Sequence, residues 1–300
     1  MNSRFSLLFK GMLMGIAEIV PGVSGGTIAF ITGIYKELIN SIKSINVISI
    51  RFLIKFQFKK FWNHINGNFL LTLLIGMIAS VLLLSRIITF LLDNYSFQIW
   101  GFFFGLIISS AFLISKSIHN LNFQNYLWLF LGLTFSGYIS LVAPSSTPNS
   151  IIFIFLSGAI AISAMILPGI SGSFILVFLS KYEFILKALN SFDTAVISIF
   201  LVGCIVGLVT FSRVFSYLFK RYNDVVISVL IGFLFGSLFK IWPFYEVLEY
   251  NSANEPIYTS PILPTANQSN DLVFFFTFGV IGFVSMWVLE KRFIGLNKEI

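Results

Sequence analysis

Two copies of a proline- and glycine-rich motif interrupt strongly apolar sequence in this chain. Pro21-Gly22-Val23-Ser24-Gly25-Gly26-Thr27 recurs as Pro168-Gly169-Ile170-Ser171-Gly172-Ser173-Phe174. Such a segment breaks a helix and leaves backbone N–H and C=O groups without intrahelical partners. Because lipid cannot hydrogen-bond these groups, a break at membrane depth must be buried in protein or line a polar cavity.

The composition places the whole chain in a membrane. Its 300 residues are 57% hydrophobic and only 10% charged, and the mean hydropathy is +0.93. This balance excludes an ordinary soluble domain. Several apolar runs of about 20 residues match a hydrocarbon core of about 30 Å. We therefore predict an all-α polytopic membrane protein.

The charged residues are interpreted as topology signals. The net charge of +7 comes from Lys and Arg in a few connecting segments, which is typical of cytoplasmic loops. No nucleic-acid partner is expected. The single cysteine, Cys204, excludes an intrachain disulfide, and His64 and His119 lie in polar connections. No metal site and no cofactor are expected.

Three sequence matches occur in the same order in both halves of the chain. The motif recurs at an offset of 147 residues, a Ser-Arg pair at 127 and a Gly-x-x-x-Gly pattern at 131. Three ordered matches indicate an internal repeat. The matched pairs are 21–27 with 168–174, Ser85-Arg86 with Ser212-Arg213, and Gly101–Gly105 with Gly232–Gly236.

The apolar runs predict two broken units and six spanning helices. The motifs divide 5–35 and 150–180 into arms of about 10–16 residues, too short to cross the core. Each broken unit is therefore either a re-entrant hairpin or one interrupted crossing. The spanning helices are predicted at 68–92, 97–115, 126–142, 195–219, 224–241 and 271–290.

The distribution of basic residues favours hairpins. Segment 36–66 is rich in Lys and Arg, whereas the loop 242–270 contains neither. If both broken units turn back, every basic segment and both termini lie in the cytoplasm. If 150–180 crossed instead, Lys220-Arg221 and the basic C-terminus would lie outside.

Three crossings separate the two hairpins, which gives the halves inverted topology about a pseudo-two-fold axis. We predict a first repeat over 1–147, with hairpin 5–38, and a second over 148–300, with hairpin 150–182. Each repeat holds one re-entrant helical hairpin and three transmembrane helices, and together they form one integrated transmembrane domain. Paired breaks of this kind are typical of transporter binding sites.

Two connections carry further expectations. Segment 40–66 mixes Ile and Phe with Lys and Arg, which suits a surface helix at the membrane interface; a disordered basic loop is the alternative. The loop 242–270 contains four prolines and is expected outside the membrane.

The hairpin tips are a candidate anion site. Glycines allow a ligand to approach the backbone, the arm after each tip begins with unpaired N–H groups, and the hydroxyls add donors. The alternative is a tight turn with a serine cap. The candidate substrate-binding residues are Ser24, Gly25, Gly26, Thr27, Ser171, Gly172 and Ser173.

Arg86 and Arg213 are candidate substrate-binding cations. Each lies about six residues from the centre of a predicted spanning helix, roughly 9 Å from the midplane on opposite sides at 1.5 Å per residue. A guanidinium at either level binds a phosphate through two parallel hydrogen bonds. The alternative is that each side chain snorkels to the nearer interface.

Glu18 is the candidate coupling residue. It lies three residues before Pro21, near the C-terminal end of the first arm, where the helix dipole disfavours a carboxylate. We therefore expect that helix capping does not explain it. It either carries a proton or pairs with Arg86, and the sequence leaves both open.

The stretch from Glu18 to Thr27, with Gly33-Ile34-Tyr35 after it, and the stretch from Leu167 to Ser173 carry a family resemblance. They resemble the PopT-type polyprenyl-phosphate transporter family of bacterial membrane proteins, and the resemblance covers essentially the whole chain. It implies a flippase that returns undecaprenyl phosphate, the lipid carrier of cell-wall synthesis, across the cytoplasmic membrane.

Under this hypothesis the phosphate is held between the hairpin tips, Arg213 attracts it from the inner side and Arg86 from the outer side, and rocking of the halves exposes the site alternately. The alternatives are a secondary transporter of a small soluble anion and a passive channel. A lipid phosphatase is not expected, because both histidines lie in loops. The expected partners are the lipid substrate and the bilayer; a homo-oligomer is left open.

Overall fold

The computed structural model describes residues 4–19, 24–118, 122–142, 147–250, 256–265 and 268–290. Pro21, Gly22 and Val23 of the first motif and His119 lie outside the described residues. The elements are α1 Arg4–Ile19, α2 Gly25–Ile31, α3 Tyr35–Lys43, α4 Val47–Ile54, α5 Phe58–His64, α6 Gly67–Asn94, α7 Ser96–Ser115, α8 Phe123–Leu141, α9 Ile151–Ile166, α10 Gly172–Phe178, α11 Tyr182–Asn190, α12 Thr194–Arg221, α13 Asn223–Ile241, β1 Tyr245–Tyr250, β2 Pro256–Pro261 and α14 Ser269–Leu289.

The long apolar helices confirm a multi-pass membrane protein. In the described part of the chain, α6, α7, α12, α13 and α14 are long and apolar enough to span a bilayer. The sixth predicted span is α8, a 19-residue helix that is less apolar because its first turn carries Gln124 and Asn125. The bounds of all six helices agree with the predicted spans to within three residues.

Both predicted helix breaks are present. The 16-residue α1 ends at Ile19 and α2 begins at Gly25, while the 16-residue α9 ends at Ile166 and α10 begins at Gly172. The predicted length of 10–16 residues holds for these first arms. It is wrong for α2 and α10, the arms after the breaks, which contain only seven residues each.

A second interruption of the helix ends each of these short arms. Gly33 and Ser180 follow α2 and α10 with positive φ values of 75° and 52°, a conformation that ends a helix. The nine-residue helices α3 and α11 then begin at Tyr35 and Tyr182. The apolar runs predicted at 5–35 and 150–180 end at these positions, just before Lys36 and Lys181.

The same order of helices occurs twice. The helices α1, α2, α3, α6, α7 and α8 contain 16, 7, 9, 28, 20 and 19 residues. The helices α9 to α14 contain 16, 7, 9, 28, 19 and 21 residues in the same order. The short helices α4 and α5 are an insertion in the first half.

Glycines create equivalent close helix contacts within the two halves. A Cβ atom at Gly11 would collide with the backbone of Leu73, where α1 packs on α6. A Cβ at Gly158 would collide with Phe200 in the same way, where α9 packs on α12. Small residues at such contacts allow helices in a membrane to approach closely.

The remaining long helices pair across the halves. Gly101 of α7 packs against the backbone of Phe275 in α14, and Gly232 of α13 packs against the backbone of Leu129 in α8. The second contact repeats the first with the halves exchanged. Each half therefore completes its own packing only by contacting the other.

Segment 40–66 is helical. It contains the end of α3 together with α4 and α5, whose Ile50, Ile54 and Phe58 are exposed beside basic residues such as Lys59. The alternative of a disordered loop is wrong here. Exposed apolar and basic side chains on short helices suit the interfacial position.

Part of the loop 242–270 forms a small β element that the sequence did not predict, beside the mostly helical fold. Strands β1 and β2 form a two-stranded antiparallel sheet. Pro256 and Pro261 occupy the ends of β2, where a missing N–H is tolerated. The prediction gave weight to the prolines and overlooked the strand-forming run Tyr245-Glu246-Val247-Leu248.

The packing of α7 on α14 predicts a difference between two glycines at one interface. Gly101→Ala should destabilise the protein by about 1–3 kcal/mol, because the new methyl group meets backbone that cannot move aside. Gly279→Ala is the matched control: its Cβ would lie 3.5 Å from the nearest atom. Thermal unfolding in detergent measures both, and equal shifts would contradict this account of the packing.

Candidate functional site

The two helix breaks lie against each other. Ser24 Oγ donates a hydrogen bond to the carbonyl oxygen of Leu167 at 3.2 Å, and the Gly169 N–H donates to Thr27 Oγ1 at 2.9 Å. These partners are more than 140 residues apart in the chain. The structure therefore brings the first tip, Ser24–Thr27, into contact with the second, Leu167–Ser173.

The hydroxyls of the first tip form one directed chain. Ser24 uses its only hydroxyl hydrogen on Leu167, so Thr27 donates to Ser24 across their 3.0 Å contact. Thr27 in turn accepts from Gly169. Two side chains of one break thus bond to the Gly169 N–H and to the Leu167 C=O of the other break. A break at membrane depth needs such partners inside the protein.

The backbones of the two tips also touch. A Cβ at Gly26 would collide with the carbonyl of Ile166, the last residue of α9. Gly169 has φ +80°, and a Cβ there would lie 2.5 Å from the Phe233 carbonyl oxygen of α13. Only glycine fits such approaches without displacing backbone.

The second tip differs from the first in exposure. Ser24 and Thr27 are each only 1% exposed. Ser171 and Ser173 are accessible, with their Oγ atoms 2.8 Å apart, while Gly172 between them is buried against α9. In this conformation the hydroxyls of the second tip face open space, and those of the first join the tips.

Glu18 corrects the expectation about capping. Its Oε1 accepts a hydrogen bond from the Gly25 N–H at 2.7 Å. The carboxylate does lie at the unfavourable end of α1, but it reaches across the break to the first N–H of α2. In the described residues no ion pair joins Glu18 to Arg86, and its role as a proton carrier stays a prediction.

Arg86 and Arg213 lie on the outer surfaces of α6 and α12. Both side chains are exposed. The structure brings neither into hydrogen-bonding contact with a tip within the described residues. The preceding Ser212 is fully buried and bonds to Val209 in its own helix, so it does not share a ligand with Arg213.

Two buried lysines, which the sequence did not single out, hold neighbouring segments together. Lys10 Nζ donates to the Thr32 carbonyl oxygen at 2.9 Å, which fixes the end of α2 to α1. Lys181 is fully buried and donates to Thr147 and Asn149 at 2.6 and 2.7 Å. The repeat comparison hides both, because their counterparts are not basic.

Lys240 was also missed, and it lies near the second tip. Its Nζ is 4.7 Å from the ring centroid of Phe174, the residue after Ser173. A cation over an aromatic face is attracted by the ring. The signal in the sequence was a lysine at the end of α13 that the topology prediction places outside, against the positive-inside bias.

An open apolar cavity of about 440 Å³ lies between α7, α8, α13 and the end of β2. Phe104, Leu133, Phe235, Trp242 and Leu263 contribute to its lining. Its walls suit hydrocarbon and offer no cation to an anion.

Long apolar helices and two interrupted helices that meet at their breaks define a multi-pass membrane protein of the kind typical of transporters. A family model described as undecaprenyl phosphate translocase-like matches residues 14–257. The chain belongs to this family.

Two relatives carry the name polyprenyl-phosphate transporter. The relative from Vibrio cholerae serotype O1 is 43% identical over 254 residues, which cover 84% of this chain and 82% of that protein. The relative from Staphylococcus aureus is 32% identical over 254 residues, which cover 79% and 85%. No solved structure matches the chain significantly.

The directed chain of hydroxyls predicts a difference between two substitutions of Thr27. Thr27→Val keeps the side-chain shape but leaves the buried Gly169 N–H without an acceptor, so we expect a loss of about 1–3 kcal/mol of stability. Thr27→Ser keeps the hydroxyl and should retain most of the stability. Thermal unfolding in detergent compares them, and a valine variant as stable as the serine variant would refute the hydrogen-bond chain.

Proposed function

We propose that this chain moves polyprenyl phosphates, undecaprenyl phosphate among them, across the bacterial cytoplasmic membrane by alternating access. The names of its relatives support the substrate class. The single observation that carries the proposed site is the contact between the two tips, which leaves the hydroxyls of Ser171 and Ser173 open beside a cation.

We further propose that each broken unit is a re-entrant hairpin and that 1–147 and 148–300 are inverted repeats within one transmembrane domain. The recurrence of helix lengths and the exchanged glycine contacts support a pseudo-two-fold relation. With three spanning helices in each repeat, the basic segments and both termini lie in the cytoplasm, as the positive-inside bias favours.

The phosphate binds first at the second tip. Ser171 and Ser173 share a hydrogen bond between their Oγ atoms at 2.8 Å, which leaves one hydroxyl hydrogen of the pair for a ligand. Lys240 supplies a positive charge near Phe174. Hydroxyl donors and a nearby ammonium are the groups that a phosphate oxygen accepts from. The half-buried position of Lys240 strengthens its attraction for an anion.

Release toward the other side requires the tips to part. The contacts from Ser24 to Leu167 and from Gly169 to Thr27 are hydrogen bonds between the halves. Each contributes about 0.5–1.5 kcal/mol net, so together they are comparable to the differential binding energy of a ligand. A bound phosphate that takes over their donors would favour the parted state.

Glu18 links the first break to this motion. Its bond to Gly25 must be rearranged if α2 moves away from α1, and a proton on the carboxylate would weaken that bond. Transport compared with and without a pH gradient tests the link: a gradient dependence that disappears in Glu18→Gln supports the proton role, and equal dependence in both proteins rejects it.

A lipid substrate is favoured over a small soluble anion by the apolar cavity. A soluble anion has no use for such a surface, whereas the first isoprene units of a polyprenyl chain do. The proposal includes no catalytic step. His64 lies at the end of α5, against the Phe52 ring, among the surface helices rather than at the tips.

Reconstituted transport tests the function and the site together. Wild-type protein in proteoliposomes should move undecaprenyl phosphate between leaflets and should not move inorganic phosphate. Ser171→Ala with Ser173→Ala should slow lipid transport at least ~10-fold, because the hydroxyl groups that bind the phosphate are lost.

Ser115→Ala is the matched control for this assay, since its hydroxyl is exposed and bonds only within α7. Transport at the wild-type rate in the double variant would exclude the second tip as the binding site. Flux of inorganic phosphate alone would favour the soluble-anion transporter instead.

The exposed arginines are proposed to attract the headgroup at the two leaflets. Arg86→Ala and Arg213→Ala should each reduce transport several-fold in the direction that begins at their own leaflet. Arg51→Ala, an exposed arginine of α4, is the control. If transport is undiminished in both variants, the arginines have no part in the mechanism.

A further inference from the structure

A small polar cavity lies between α3 of the first half and α12 of the second, apart from the tips. Its volume is about 130 Å³, equal to roughly four water molecules at ~30 Å³ each. That is room for a compact anion and not for a polyprenyl chain. Its lining consists of Lys36, Ile39, Asn40, Ser216, Phe219 and Lys220.

The polar groups of this cavity are held by hydrogen bonds between the halves. Lys43 Nζ donates to Ser216 Oγ at 3.0 Å, and Ser216 Oγ donates to Asn40 Oδ1 at 3.1 Å. Because Asn40 Oδ1 accepts the bond from Ser216, the Asn40 side-chain N–H groups remain available to donate to another acceptor. The side chains are thus positioned before any ligand arrives.

The cavity carries positive charge. Lys36 and Lys220 line it, and Lys43 reaches its Ser216 wall. Partial burial lowers the pKa of Lys36, an effect that the nearby Asp224 partly opposes. The Lys36 ammonium also lies 5.5 Å from the Phe219 ring centroid. A partly desolvated ammonium gains from a bound anion.

Tyr35 lies next to the cavity, packed against its lining residue Phe219. Tyr35 is 2% exposed, and its OH has no hydrogen-bond partner among the described residues. Its ring packs 5.9 Å from that of Phe219, a wall of the cavity. A buried hydroxyl without a partner is costly, which is consistent with a ligand or water in this region.

The equivalent place in the other half lacks this character. With the offsets of the repeat, Glu183 stands at the position of Lys36 and Asp93 at that of Lys220. The cavity is therefore not a by-product of the duplicated architecture. A positive-inside bias alone accounts for basic residues on one side but not for their convergence with Asn40 and Ser216 around one cavity.

We propose that this cavity binds a phosphate group, and that in the transport cycle it holds the headgroup at the face of the protein assigned to the cytoplasm. The assignment to the cycle rests on the proposed function. The recognised chemistry is a phosphomonoester or free phosphate dianion, paired with the lysine ammoniums and the Asn40 amide. Because the site is present on one face only, the protein binds the headgroup with different affinities on the two sides of the membrane.

Site-specific protection tests the cavity. Cys204→Ala removes the single cysteine of the chain, and Ile39→Cys then places one thiol among the lining residues of the cavity without removing a proposed phosphate partner. Geranyl phosphate, a short soluble polyprenyl phosphate, should slow the reaction of this thiol with a neutral maleimide, and geraniol should not.

In the same background, Lys36→Gln with Lys220→Gln should raise the geranyl phosphate concentration needed for protection at least ~10-fold. Lys59→Gln with Lys60→Gln is the matched control, since it removes the same charge from exposed positions of α5. Protection that is absent, or unchanged in the Lys36 and Lys220 variant, overturns the proposal.

A second set of measurements, with inorganic phosphate in place of geranyl phosphate, identifies the source of the phosphate. Equal protection by inorganic phosphate identifies a site for free phosphate, and protection by geranyl phosphate alone identifies a site for the lipid headgroup; both support a phosphate site. The same preparation is assayed for undecaprenyl phosphate transport. Transport without protection rejects only the cavity, whereas protection without transport rejects only the proposed function.

Discussion

The structure depends on one constraint: each broken helix must find hydrogen-bond partners inside the protein for the backbone groups it exposes. The two breaks meet this requirement largely by facing each other. Thr27 and Ser24 bridge the Gly169 N–H and the Leu167 C=O, and Glu18 accepts the Gly25 N–H. The hydrogen bonds between the breaks join the two halves of the chain at this point.

A nearly symmetric frame carries an asymmetric site. The glycine contacts of α7 with α14 and of α13 with α8 repeat with the halves exchanged. The polar groups do not repeat: the first tip buries its hydroxyls, the second exposes them, and Lys240 lies beside the second only. Under the proposed alternating access, a symmetric frame would provide two states of similar energy, and the unequal groups would make the two directions of transport different.

Much of this was predictable because it rests on patterns along the chain. The motif at 168–174, the long spans and the repeat offsets can be read directly, and the helix bounds follow the apolar runs. The turns at Gly33 and Ser180 lie at the ends of the predicted apolar runs, but hydropathy alone does not show that the short helices α3 and α11 follow them. The strands β1 and β2 were missed because prolines at their ends resemble loop signals.

The sequence by itself determined that this is a multi-pass membrane protein with two helix breaks in two related halves, because lipid restricts both composition and backbone. Only the tertiary structure decided what the polar residues do. Lys240, Glu18 and the Lys36 cavity obtain their roles from partners far along the chain or across a break. Hydropathy measures the cost of burying a residue and carries no information about which distant group offsets that cost.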